Sequence, residues 1–144
     1  MTTIAFDGSM LAADRQCSSG NTKHGRTCKL LTHNGHMLSF TGGFVEGLAL
    51  VEWFKAGADT KNPPKVGESS GSTLVVVTPD NELVVYEHPY LSPLTFLNKV
   101  QAFGSGRDFA LAAMHLGFDA KRAVEVASEF DLYTGGGVDT CVMP

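Results

Sequence analysis

Three short apolar alternations, each folded back on itself by a turn signal, limit what this chain can become. "TTIAFDGSMLAADRQ" sets two apolar runs around Asp7-Gly8, "CKLLTHNGHMLSFTGG" repeats the arrangement around Asn34-Gly35, and "STLVVVTPDNELVVYEH" does so around Pro79-Asp80-Asn81. Gly, Asn and Asp accept the positive φ of tight hairpin turns, and runs rich in Val, Leu, Ile and Phe suit a pleated, half-buried surface. Hairpins pair their strands antiparallel, whereas a parallel sheet needs a crossover helix between successive strands. The chain is therefore expected to build mainly antiparallel sheets.

Between the hairpins, "FVEGLALVEWFKAGA" spaces Val45, Leu48, Leu50, Val51 and Phe54 three and four residues apart, which predicts an amphipathic helix. Trp53 and Phe54 are adjacent, so one of them must lie at the edge of the buried face and extend an apolar contact patch beside Leu50 and Val51. "GRDFALAAMHLGFDAKRAVEVASEF" predicts two helices broken near Gly117-Phe118-Asp119, with Asp119 as N-cap of the second. "PYLSPLTFLNKVQAFG" reads as an extended piece leading to a strand at Val100 to Phe103, and "DLYTGGGVDTCVMP" as a Gly-rich turn and a final strand. "CSSGNTKHGRT" is a polar excursion, and "TKNPPKVGESSG" is a connection rather than a linker between domains. With 144 residues, 43% of them hydrophobic, the sequence fits one domain over 1–144. Its order (strands, helix, strands, two helices, strand) points to a layered α+β architecture.

Several function classes are set aside. The net charge of -4 and the lack of a basic cluster argue against a nucleic-acid partner. No stretch approaches the roughly 20 apolar residues of a membrane span, and the first residues lack the basic-then-apolar pattern of a secretory signal. Cys17, Cys28 and Cys141 form no CxxC pair, which suits thiols in a reducing cytoplasm. The five histidines show no metal-binding spacing; His33 and His36 flank a turn. "GESSGST" lacks the lysine of a phosphate loop, "GSG" at Gly104 to Gly106 is half a dinucleotide fingerprint, and no G-x-S-x-G elbow is present.

What survives is an ordered constellation: "TTI" at the start, "ADRQ" with Asp14, "GNT", Lys29, "FTGG" with Gly42, "FGSGRDFALAA" with Ser105, and "DLYTGGGVD" with Asp131 and Thr134. Singly, each piece has an ordinary reading. Asp14 suits a turn, Lys29 a strand edge and Ser105 a helix cap. As an ordered set covering nearly the whole chain, they resemble a proteasome β-type subunit, most closely the HslV branch of the N-terminal nucleophile hydrolases. That resemblance implies an αββα sandwich of the N-terminal nucleophile hydrolase type.

It also implies a threonine peptidase whose nucleophile is Thr2 after removal of Met1. A hydroxyl needs a base to become a nucleophile, and a freed α-amine, with a pKa of about 7.7 to 8.0, suits that role. By resemblance, Lys29 opens a strand and supplies the catalytic lysine, Asp14 holds it, and Gly42 offers its N–H to the oxyanion, with no side chain there to crowd the substrate. Ser105, Asp131 and Thr134 form the shell around the amine. No cofactor is required, but backbone oxygens of Ser128, Asp131 and Thr134 correspond to a site for Na+ or a similar cation. The implied partners are protein or peptide substrates, further copies in a homo-oligomeric ring, and an ATP-dependent unfoldase. Phe44 departs from the pattern, standing where a small residue is usual and making the pocket beside Thr2 narrow or otherwise altered; Arg26 and Cys28 also replace more typical residues before Lys29. Two other functions fit the same residues: an inactive shell or assembly protein, and an amidohydrolase of a small substrate.

Overall fold

The computed structural model describes residues 2–64, 71–89 and 91–144. Met1, and with it the question of its removal, lies outside the described residues, as does the 67–70 part of the rejected phosphate-loop stretch.

The first hairpin forms from β1 (Thr3–Asp7) and β2 (Met10–Asp14), paired with Ile4 opposite Ala13. Its turn is held by the Asp7 carboxylate, whose Oδ1 accepts the N–H groups of Ser9 and Met10, while Gly8 takes φ +99°. The second joins β5 (Leu31–His33) to β6 (His36–Thr41) through Asn34 and Gly35, both at positive φ, as a two-residue turn of this kind demands. The third joins β7 (Thr73–Val77) to β8 (Leu83–Glu87), with Asn81 at φ +62°. The remaining strands are β3 (Gln16–Ser19), β4 (Thr22–Arg26), β9 (Leu94–Phe96), β10 (Val100–Gly104) and β11 (Val138–Val142). The helices are α1 (Phe44–Lys55), α2 (Arg107–His115) and α3 (Ala120–Phe130).

Every pairing among the described residues is antiparallel. One sheet runs β10-β1-β2-β11, another β5-β6-β7-β8-β9, and β3-β4 stands apart as a two-stranded ribbon. Strand side chains alternate between faces, so β1 and β2 serve two cores at once. Ile4, Phe6, Leu11 and Ala13 meet Met37, Val75, Val77 and Leu83 of the second sheet. Ala5 and Ala12, on the opposite face, meet Ala110, Ala113, Ala123, Val124 and Ala127 of α2 and α3. The far face of the second sheet packs Leu38, Phe40, Leu74 and Val76 against Leu50, Val51 and Trp53 of α1. The alanines at 120, 123 and 127 bring α3 close to its sheet, and its N-terminus is capped by Asp119, which accepts the Arg122 N–H at 2.8 Å.

Four expectations need correction. The polar excursion is the β3–β4 hairpin; its exposed faces need no apolar alternation, so it carries no periodic signal. Lys29 precedes rather than opens β5. Ser105 is not the cap of α2, a position held by Gly106. In α1, Val45 and Leu48 are exposed, and Gly47, Leu50, Val51 and Trp53 are buried. Of the adjacent aromatics, Phe54 lies at the edge, half-buried against His36 and Tyr86, but the buried Leu50 and Val51 extend no surface patch.

Candidate active site

The two sheets bring their strand ends together around Thr2. Asp14 ends β2 and is fully buried, a placement that a carboxylate tolerates only when paired. It is thoroughly paired. Oδ1 accepts from Lys29 Nζ and from the Thr3 N–H, each at 3.0 Å, and Oδ2 accepts the Gly135 N–H at 3.1 Å. Lys29 is 2% exposed, and its backbone carbonyl is fixed by the Ser39 hydroxyl at 2.8 Å. Burial pushes its ammonium below the usual lysine value, while the charge and hydrogen bond of Asp14 pull it back up. Thr2, itself only 3% exposed, lines the same small cavity as Lys29 and Gly42, about 60 Å³ in volume.

A second polar cluster adjoins Thr2 through Ser105. Asp131, the C-cap of α3, accepts at Oδ2 from the hydroxyls of Ser105 (2.6 Å) and Thr134 (2.5 Å). Each hydroxyl has one proton to give. Thr134 spends its proton on Asp131, so the 2.6 Å contact between the Thr134 and Thr3 hydroxyls must be donated by Thr3, whose oxygen in turn accepts the Gly106 N–H at 2.9 Å. The chain of donors thus runs from the start of α2 through Thr3 and Thr134 to the carboxylate. Ser105, having donated to Asp131, keeps its lone pairs free to accept, and its backbone N–H binds the Thr2 carbonyl at 3.1 Å. Thr2, Gly42 and Ser105 all line a wider cleft of about 710 Å³.

Glycines set the close approaches. Gly42 lies at φ +93°, and a Cβ there would sit 2.5 Å from the Ser72 hydroxyl. Its lack of a side chain is therefore demanded by its own backbone and by Ser72. A Cβ on Gly104, at φ +96°, would lie 1.6 Å from the Thr2 carbonyl oxygen.

Of the residues singled out from sequence, Thr2, Asp14, Lys29, Gly42, Ser105, Asp131 and Thr134 are brought to this one region. Ser128 lies in the last turn of α3, its hydroxyl turned back onto the Val124 carbonyl at 2.9 Å. Thr3 and Gly104 were missed as site residues. Thr3 reads in sequence as a strand former, and Gly104 was visible only as part of "GSG".

No protein-family model matches the chain, and no curated protein matches it in sequence. Among solved structures the match is nearly end to end. BPH of Thiobacillus denitrificans superposes with a TM-score of 0.71 at 23% identity, covering 99% of this chain and 96% of that one. The same protein in complex with epoxomicin gives 0.72 at 19% identity, covering 99% and 97%. HslV from Trypanosoma brucei gives 0.75 at 20% identity, covering 99% and 98%. The chain has the HslV/proteasome β-type fold.

Proposed function

We propose that this protein is a threonine-type peptidase of the HslV/proteasome kind, with Thr2 as its nucleophile once Met1 has been removed. The helix–sheet–sheet–helix order of its cores is then that of the N-terminal nucleophile hydrolase sandwich. One observation carries the reading: a buried Asp14–Lys29 ion pair, 3.0 Å long, whose lysine lines the same cavity as Thr2. Burying such a pair costs stability that packed apolar residues would not, so its presence beside a hydroxyl supports a chemical role.

The steps balance without a cofactor. The α-amine of Thr2 takes the hydroxyl proton, and Oγ1 attacks the scissile carbonyl carbon. The Lys29 ammonium favours both the neutral amine and the developing alkoxide, and Asp14 fixes its place. The Gly42 N–H takes the oxyanion. Collapse breaks the C–N bond, the proton on the amine passes to the departing nitrogen, and the acyl group is left as an ester on Thr2. Water, activated by the same amine, cleaves that ester and restores the hydroxyl. Ser105, with lone pairs to offer, and Asp131 behind it orient the amine, while Thr134 and Thr3 brace Asp131.

A structural cation would be held by backbone oxygens of Ser128, Asp131 and Thr134. The last hydrogen bond of α3 runs from Asp131 N–H to Ala127 O, so the Ser128 carbonyl lies beyond it, at the negative end of the helix dipole. Hard carbonyl oxygens suit Na+ or a similar ion. Such an ion would stabilise the turn presenting Asp131 and would take no part in the chemistry. Ring assembly and an ATP-dependent unfoldase complete the proposal.

The test is Thr2→Ala, with intact mass reporting whether Met1 is present. Processed wild type should hydrolyse peptide amides, and the variant should lose that activity with unchanged circular dichroism. Hydrolysis by a chain still carrying Met1, or by Thr2→Ala, would overturn the mechanism.

A further inference from the structure

We infer that the substrate residue whose carbonyl is attacked carries a small side chain, of alanine or serine size, and that Phe44 sets this limit. The inference rests on the peptidase reading, because it concerns the same site. Two cavities meet at Thr2, and they differ more than tenfold in volume. The wide one, about 710 Å³, is walled by Gly104, Ser105, Arg107 and Glu87; the narrow one, about 60 Å³, by Lys29, Cys17, Phe40 and Phe44.

The chemistry decides which half of the substrate enters which cavity. The departing nitrogen must collect its proton from the amine of Thr2, so it leaves on the side that the amine faces. In the proposed mechanism the Ser105 hydroxyl orients that amine, and Ser105, held by its N–H on the Thr2 carbonyl and its hydroxyl on Asp131, lines the wide cleft. The acyl half is then directed to the Lys29 side, where the narrow cavity lies. At about 60 Å³ this cavity is less than half the size of one of about 150 Å³ that takes up benzene, so it suits a methyl or hydroxymethyl group and not an isobutyl or benzyl group.

The Phe40 wall cannot easily yield. Phe40 is 1% exposed, and its ring lies so close to α1 that a Cβ on Gly47 would come within 1.9 Å of its Cδ2. It has no room to swing back. Phe44, one turn earlier on the same helix, meets the Phe40 ring edge-to-face with centroids 5.5 Å apart. Phe44 is 36% exposed, so it is the wall that can be removed without hollowing the core.

The experiment compares kcat/KM for acetyl-tripeptide aminocoumarin amides that differ only in the residue before the scissile bond: Ala, Ser, Leu or Phe. A hydrophobic pocket discriminates by about 10- to 200-fold per methylene gained or lost, so wild type should favour Ala and Ser over Leu and Phe by at least about 10-fold. Phe44→Ala should invert that ratio, and Phe44→Leu should fall between. If wild type cleaves the Leu or Phe amide as well as the Ala amide, or if Phe44→Ala leaves the ratio unmoved, the size limit is wrong and the peptidase stands. The wild-type ratio decides the matter even if both variants fail to fold. If wild type hydrolyses none of the four, the peptidase reading and this inference fall together.

Discussion

A buried lysine carries its own pH signature. In the proposed mechanism Lys29 acts as a cation, and burial holds its pKa below 10.5 despite Asp14. The alkaline limb of kcat/KM should therefore fall below the value for an ordinary lysine, while the acid limb reports the α-amine, which must be neutral to act. The sign for stability follows from the same shift. Between the lowered value and 10.5, the unfolded chain binds more protons than the folded one, so stability rises with pH across that window. The cost of the buried charge is fully present below it. A pH–rate profile whose alkaline limb matched a free lysine would detach Lys29 from the chemistry. The residues gathered at Thr2 were legible in the sequence only as an ordered set, since singly Asp14, Lys29 and Ser105 each have an ordinary reading. Thr3 and Gly104 were not. Thr3 works by holding hydroxyls and amides from α2 and the last Gly-rich turn, and Gly104 works by letting two backbones touch. Both roles depend on neighbours some 100 positions or more away in sequence, where no local pattern reaches.

At the scale of the element, local signals were read well wherever one face was apolar and the turn chemistry decisive. All three hairpins and the Asp119 cap are of this kind. The β3–β4 ribbon escaped because its exposed strands owe their pairing to the backbone, and the faces of α1 were misassigned because apolar residues occur all round it. Gly47 gives this helix its most testable feature. Gly→Ala in a helix interior ordinarily stabilises by about 1 kcal/mol. Here the new methyl group would lie 1.9 Å from the buried Phe40 ring, and overpacking of that kind costs about 1–3 kcal/mol. The steric term wins, so Gly47→Ala should lower stability in urea titration. A stabilised variant would mean that Phe40 can move, and the rigid wall of the narrow cavity would go with it.

Among the exposed apolar residues described, two groups stand on the helices of opposite layers. Phe44, Val45 and Leu48 stand on the outside of α1, over the second sheet, with Val45 76% exposed. Phe109 and Phe130 stack on one another at 5.5 Å on α2 and α3, over the first sheet. Patches of this kind mark contact surfaces, and two different patches on one chain suit contacts of two kinds. A head-to-tail contact either closes into a ring or grows into a filament, so a soluble assembly of defined size implies closure. We expect a closed ring, with a second ring stacked on it, in which α1 contributes a contact through Val45 and Leu48 rather than through Trp53, which is buried. Analytical ultracentrifugation over a dilution series should show a discrete oligomer at micromolar concentration. Val45→Glu with Leu48→Glu should shift it towards smaller species, since like charges would then face an apolar contact. A wild-type protein that stays monomeric would overturn the chambered peptidase, and its open cleft at Thr2 would then belong to an amidohydrolase of small substrates.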